Sequence, residues 1–359
     1  MGVKSLCNIT CCIFDASVGK IFFTFYNVCV IITIYDLEGV FCMYIMKLEA
    51  PCKDYIWGGT RLRDEYGKKS DADKVAESWE LSCHKDGKSV IANGEYAGKT
   101  LDEFIEKEGR KVLGTNCERF EYFPILIKLI DAKDNLSVQV HPNNEYALRV
   151  EGEYGKTEMW YVVDADEGAE LLYGFKHEIT REEFAERIKN NTLLEVTNNV
   201  PVHKGDVFFI ESGTLHAIGK GILIAEIQQN SNTTYRIYDY GRVGKDGKPR
   251  ELHIEKACEV TKLIPPTRPT KPQGKPVQKD GFTETLLATC EYFNVNKLDV
   301  QSGADLEATS ASFNSLLVLD GSFTTGDITL AKGESAFIPA GFGKYSLKGT
   351  GEVILTDIV

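Results

Sequence analysis

At 359 residues the chain has length for about two domains of roughly 100 to 200 residues each, and its 43% apolar side chains are enough to fill their cores. Its 53 Asp and Glu outnumber 41 Lys and Arg, a net charge of −12, and the cations form no stripe, which argues against a nucleic-acid partner. Ten cysteines without a CxxC pair in so long a chain do not make a disulfide framework.

The first 45 residues stand apart. They hold five of the cysteines, Cys7, Cys11, Cys12, Cys29 and Cys42, and only Lys4, Asp15, Lys20, Asp36 and Glu38 as charges. Ile21 to Tyr35 is an apolar run of 15 residues, shorter than the about 20 of a membrane helix. It is rich in β-branched and aromatic residues and interrupted by Thr24, Asn27 and Thr33. As a signal peptide it is poor, because the charged start is remote from the apolar run and no small-residue cleavage site follows. The expectation is an atypical extension (1–45) outside the fold, a natural start at Met46, and no membrane partner. The other cysteines, Cys52, Cys83, Cys117, Cys258 and Cys290, are widely scattered, which suits reduced thiols in a cytoplasm.

From Met46 the elements follow in order. Pro51 to Gly59 reads as a loop, and Glu77 to Ser82 begins a strand. Leu101 to Glu108 is predicted helical, with Thr100 and Glu103 as a capping box. Phe123 to Asp131 is an apolar run broken by Lys128, either a snorkelling stem or a phosphate ligand. In Leu136 to Pro142 the polar Ser137, Gln139 and His141 alternate with Leu136, Val138 and Val140, so in a strand the three share one face. Lys156 to Val163 carries Glu158 at the mouth of a further strand, with Lys156 two residues before it on the same face. Thr180 and Glu183 open a helix through Phe184 and Ile188, a small insertion between Glu158 and His216. Lys204 to His216 reads as a turn, a buried strand, another turn and a histidine.

Pro265, Pro266, Pro269, Pro272 and Pro276 then make an extended, semi-rigid linker (265–280). Beyond it, Lys332 to Lys344 repeats Lys204 to His216, with Gly333, Phe337, Ile338 and Gly341 matching Gly205, Phe209, Ile210 and Gly213. Lys344 takes the place of His216 and no histidine follows His253, so this copy is expected to hold no metal.

Gln139, His141, Glu158 and His216 read as one metal site. Imidazole with carboxylate and amide oxygen suits zinc, and a set that leaves room for substrate or water suits a catalytic ion. The remaining histidines, His84, His177, His203 and His253, lack ligand spacing, and only His84, near Trp79 and Glu80, is a candidate to border the pocket.

The strings SVQVHP from Ser137, KTEMWY from Lys156, ESGTLHAIG from Glu211 and QNSNTTYRIYDYGR from Gln229 resemble type I mannose-6-phosphate isomerase in its short bacterial form, a cupin family. The resemblance runs from about Met46 to the C-terminus. It implies a mainly β fold of two cupin (jelly-roll) β-barrels with a small helical insertion: a catalytic barrel (46–264) and a degenerate structural barrel (281–359). It implies one zinc ion per chain on His141, Glu158, His216 and Gln139, and a catalytic arginine at Arg236. The reaction implied is interconversion of mannose 6-phosphate and fructose 6-phosphate through an enediol, in a monomer or homodimer in the cytoplasm. Ser137 and Lys156 are expected to line the sugar-phosphate cavity, with Lys128 as a possible phosphate ligand. Glu211 is also expected among the substrate-binding residues, and Lys156 and Glu211 are the candidate proton carriers. Long family members carry a histidine ahead of the Lys-x-Glu segment, where this chain has Tyr154 and Gly155, so a histidine-based ring opening does not transfer.

Two other classes fit the same residues. His141, Glu158 and His216 with iron would suit another cupin enzyme, an oxygenase, and a phosphoglucose isomerase would use similar ligands. A non-catalytic sugar-binding cupin is the second, against which the intact ligands and Arg236 argue.

Overall fold

The computed structural model describes residues 43–244 and 247–359, and before them only the backbone of three short antiparallel strands, Cys12–Asp15, Lys20–Phe25 and Val28–Thr33, which form a unit by themselves. The expectations for residues 1–42 otherwise fall outside the described residues, whereas Ile45, expected to lie in the extension, is buried in the core of the C-terminal sheet. No helix among the described residues is long and apolar enough to cross a membrane.

The chain is mainly β. Two antiparallel sheets build the first barrel. One has the order Val207–Ile210, Glu158–Ala165, Ile222–Gln229, Ile125–Ala132, Glu77–Leu81, Cys52–Lys53. The other runs Thr197–Pro201, Glu170–Phe175, His216–Ala217, Val138–Val140, Tyr235–Tyr238. Their facing sides enclose a core that includes Trp57, Ile130, Trp160, Leu171, Phe208, Ile218 and Ile224. Strands such as Ile125–Ala132 and Ile222–Gln229 are buried along their whole length. That is why they read as near-continuous apolar runs, in which any charge is conspicuous.

The outer side of the second sheet is covered by helices Arg181–Lys189 and Ile254–Val260. Val138, Val140, Leu172, Phe175 and Ala217 pack there against Phe184 and Ala257. Period-two alternation therefore turns Val138 and Val140 toward the helices and Gln139 toward the barrel interior. The Arg181–Lys189 helix starts at Thr180, whose hydroxyl accepts the Glu183 N–H at 3.1 Å. Helix Leu101–Glu108 carries a full capping box between Thr100 and Glu103.

The C-terminal sheet centres on the long strands Gly343–Asp357 and Asn314–Thr325 around its own core of Leu298, Leu316, Phe323, Ile338 and Val353. Its turns repeat the first barrel in backbone conformation as well as sequence. Gly205 and Gly333 have φ of 93° and 85°, and Gly213 and Gly341 of 88° and 80°, the left-handed region that a side chain adopts only with strain. The end of the proline-rich segment, Val277–Gln278, pairs at the edge of this sheet with Phe282–Thr289. Met46–Glu49 also joins it, pairing Met46, Lys47 and Leu48 with Phe337, Ala336 and Ser335. Met46–Glu49 is thus hydrogen-bonded into the C-terminal barrel, and Phe123, stacked on Phe313, which meets Phe337 at a tilt, packs the two barrels together.

Candidate metal centre and active site

Three buried side chains from three strand positions converge inside the first barrel. His141 follows the Val138–Val140 strand, Glu158 opens Glu158–Ala165 and His216 opens His216–Ala217. One ligand atom from each lies within 4.8 Å of the others. Glu158 Oε1 stands 3.7 Å from His141 Nε2 and 3.4 Å from His216 Nε2.

Both imidazoles are set for coordination. His141 Nδ1 donates to the Thr233 carbonyl and His216 Nδ1 to the Thr214 carbonyl, each at 2.9 Å. A carbonyl only accepts, so the ring proton sits on Nδ1 and the Nε2 lone pair is available to a metal. Burial pushes both rings away from the protonated form, His141 well below its ordinary value and His216 down to about 3. Burial also pushes the Glu158 carboxyl up, against the pull of Lys156, and its Oε1 is buried without a hydrogen bond. Two Nε2 lone pairs, met only by the Lys156 ammonium at 3.2 Å and the Gln139 amide at 3.4 Å, and a carboxylate oxygen without a hydrogen bond are a donor set that a cation would complete, so the residues fit a metal ion. Gln139 touches the set through Nε2, 3.4 Å from His216 Nε2. An amide flip would bring its oxygen to the same place.

Gln139 lines a cavity of about 250 Å³ together with Lys156, and His141, Glu158 and His216 touch these two side chains without lining it themselves. Lys156 Nζ is 2.8 Å from Glu158 Oε2, 3.2 Å from His141 Nε2 and 3.9 Å from Glu226 Oε1. Ser137 lines the cavity and accepts from Arg236 Nε at 3.3 Å. Arg236 also donates to the Glu251 carbonyl at 2.9 Å and has no carboxylate partner among the described residues, because Asp239 is taken by Arg242 and Arg250. Lys128 lines the cavity too, but it is no snorkelling stem. It is 3% exposed and held by Glu226 at 3.2 Å and Glu77 at 3.5 Å, which together raise its pKa against the effect of burial.

Glu211 is not part of this cavity. It sits in an outer cleft beside Pro265 and Pro266, paired with Lys262 at 3.0 Å and Arg268 at 3.2 Å, because the strand Val207–Ile210 ends before it and the turn carries it outward. His84 is buried but lines a separate pocket with Glu153 and Asp102, whereas His253 accepts the Arg236 backbone N–H at 3.2 Å. A larger cleft of about 560 Å³, bounded by Lys133, Glu170 and Tyr240, holds none of the metal-ligand candidates, and the chemistry favours the smaller cavity.

Sequence reasoning missed Glu226, Glu77, Arg250 and Asn232, all of which line the cavity. For Glu226 a signal existed: it is the one acid in the apolar strand Ile222–Gln229. Burial alone would raise its pKa, but the ammonium groups of Lys156 and Lys128 overcome that and keep it ionised.

Residues 45–173 match the model of the phosphomannose isomerase type I catalytic domain, and residues 283–358 that of the mannose-6-phosphate isomerase cupin domain. The mannose-6-phosphate isomerase of Streptococcus mutans is 40% identical over 310 residues, which span 86% of this chain and 96% of that protein. The chain belongs to the type I mannose-6-phosphate isomerases. The mannose-6-phosphate isomerase ManA of Bacillus subtilis, one of several relatives from that organism, is 39% identical over 85% of this chain and 96% of its own length. The crystal structure of mannose 6-phosphate isomerase from Bacillus subtilis superposes with a TM-score of 0.80 at 37% identity, covering 87% of this chain and 99% of that one. Membership makes the chain a cupin and an isomerase, with His141, Glu158 and His216 as a site able to hold a metal ion.

Proposed function

We propose that this isomerase interconverts mannose 6-phosphate and fructose 6-phosphate with one zinc ion held by His141, Glu158 and His216, and with Gln139 as the fourth protein ligand. The observation that carries the reading is the convergence of two Nε2 lone pairs and a buried, unsatisfied carboxylate oxygen next to Lys156 and Gln139, which line a cavity shared with Lys128, Arg236 and Arg250. Zinc there would supply Lewis-acid polarisation of the sugar oxygens.

The residues around it divide the remaining work. Aldose–ketose exchange takes a proton from C2, returns it to C1 and shifts a hydroxyl proton from O2 to O1. Negative charge builds on the carbonyl oxygen between the two transfers. Glu226, kept ionised between Lys128 and Lys156, holds both ammonium groups at the cavity. Lys156 presents ammonium hydrogens to the same cavity as the donor for the developing oxyanion. Arg236, with Ser137 on its Nε and no carboxylate partner among the described residues, offers a fixed guanidinium to anionic oxygens, a geometry suited to phosphate, whereas Arg250 is held by Asp239 at the cavity rim. The free thiols Cys52, Cys83, Cys117, Cys258 and Cys290 and a phosphorylated substrate support a cytoplasmic setting.

A coupled assay of mannose 6-phosphate turnover, run before and after chelation and after zinc is restored, tests the reading together with metal content by mass spectrometry. Activity that falls with the metal and returns with zinc is expected. Turnover unaffected by complete removal of metal would overturn the zinc assignment, and iron as the resident ion would move the site to the oxygenase class of cupins.

A further inference from the structure

We propose that Glu153 is a positioning residue of the metal centre. It clasps the 231–234 loop whose Thr233 carbonyl orients His141. The inference rests on the reading of His141, Glu158 and His216 as metal ligands.

On the side away from Lys156, which approaches Nε2 at 3.2 Å, the ring of His141 is held by Nδ1–H donating to the Thr233 carbonyl at 2.9 Å. That carbonyl belongs to a loop outside any strand, so something must hold it. Glu153 Oε2 accepts the Asn232 N–H and the Thr233 hydroxyl, each at 3.4 Å. On its other side the same carboxylate meets His84 Nε2 at 3.5 Å, and Oε1 pairs with Lys85. His84 is prepared for this. Its Nδ1 accepts the Asp86 N–H at 3.1 Å, which places its proton on Nε2, toward Glu153. Asp86 in turn takes the Asn232 side-chain amide at 2.8 Å. The short hairpin of Cys83–His84 and Gly87–Lys88 thus grips both the carboxylate and the loop. His84 and Lys85 hold the Glu153 carboxyl down at about 2 against partial burial, so the clasp is ionic throughout the physiological range.

Two consequences meet on this loop. It carries the acceptor that fixes His141, and it presents Asn232 and Thr234 to the substrate cavity. An outer carboxylate that never touches metal or sugar therefore sets both the readiness of a ligand and one wall of the pocket. Groups that orient a metal-bound histidine typically shift affinity by about ten- to a hundredfold when removed.

The test measures Zn²⁺ affinity of the full chain by competition with a chromophoric chelator, alongside long-range ¹⁵N–¹H spectra of the imidazoles in metal-free protein. Glu153→Ala is expected to weaken zinc about ten- to a hundredfold and to unfix the Nδ1–H tautomer of His141. Glu153→Gln, which keeps an acceptor oxygen, is expected to hold affinity within about threefold. A folded Glu153→Ala protein with affinity within about twofold of the parent, and an unchanged His141 signal, overturns the proposal. If that variant does not fold, Thr233→Val removes only the hydroxyl and leaves the carbonyl. A loss of about three- to tenfold supports the clasp and none overturns it. Parent protein that binds no zinc, or binds it equally after His141→Ala, would instead sink the metal reading. The His141 tautomer would still decide the clasp.

Discussion

Lys128 and Glu226 stand directly opposite each other on neighbouring strands, 3.2 Å apart and both buried, at the wall of the 250 Å³ cavity. Glu77 on the third strand and Lys156 at the cavity floor extend the pair into a chain of alternating charge, with Lys156 3.9 Å from Glu226. Desolvation makes each of these groups costly alone, so they stand or fall together.

Removing one member is expected to expose that dependence. Lys128→Met would leave Glu77 and Glu226 facing each other without a shared cation. The folded state should lose about 3–5 kcal/mol in urea unfolding. A loss below about 1 kcal/mol would mean that water or relaxation already screens the pair.

Arg236→Lys is expected to be far from conservative. The guanidinium reaches Ser137 Oγ and the Glu251 carbonyl with different nitrogens, which one ammonium cannot do in the same place. Steady-state kinetics should show about a hundredfold loss of kcat/KM on mannose 6-phosphate with the melting temperature little changed. Parental kinetics would remove Arg236 from the machinery.

Glu211→Gln should leave turnover intact. Its carboxylate is half-exposed and occupied by Lys262 and Arg268 in the outer cleft. Surface pairs of this kind contribute about 0–1 kcal/mol, so the variant is expected to fold and turn over as the parent does. A large fall in kcat alone would return Glu211 to the list of proton carriers.

The stability contributed by Glu153 should depend on acid. Its folded-state pKa, about 2, lies below the ordinary value of 4.5. In the acid range the unfolded chain therefore takes up the proton first, and the contribution, complete above about pH 4.5, is lost as the pH falls toward 2. Urea unfolding of the parent and of Glu153→Gln should differ at neutral pH and converge near pH 2. A difference that stayed constant across that range would show that the charge of Glu153 contributes nothing to the fold.

Much of the site was legible because strands alternate. Ser137, Gln139 and His141 could be put on one face, and Lys156 beside Glu158, from period two alone. Glu226 and Lys128 were harder to read. Each is a single charge in an apolar strand, and nothing in either segment says that they are partners until the sheet order brings Ile222–Gln229 beside Ile125–Ala132. Glu211 misled for a related reason. It is a candidate proton carrier by residue type, but the turn after Val207–Ile210 carries it to the outer cleft.

The amino-acid sequence alone determined the family, the repeat of one turn-strand-turn unit and the candidate ligands, because all three depend on local spacing and side-chain chemistry. Only the tertiary structure decided which charges meet, that Met46–Glu49 is hydrogen-bonded into the C-terminal sheet, and that Glu153 reaches the loop behind His141. Those relations join residues tens to hundreds of positions apart. Their energies depend on burial and on distances of 3–4 Å, which no local pattern encodes.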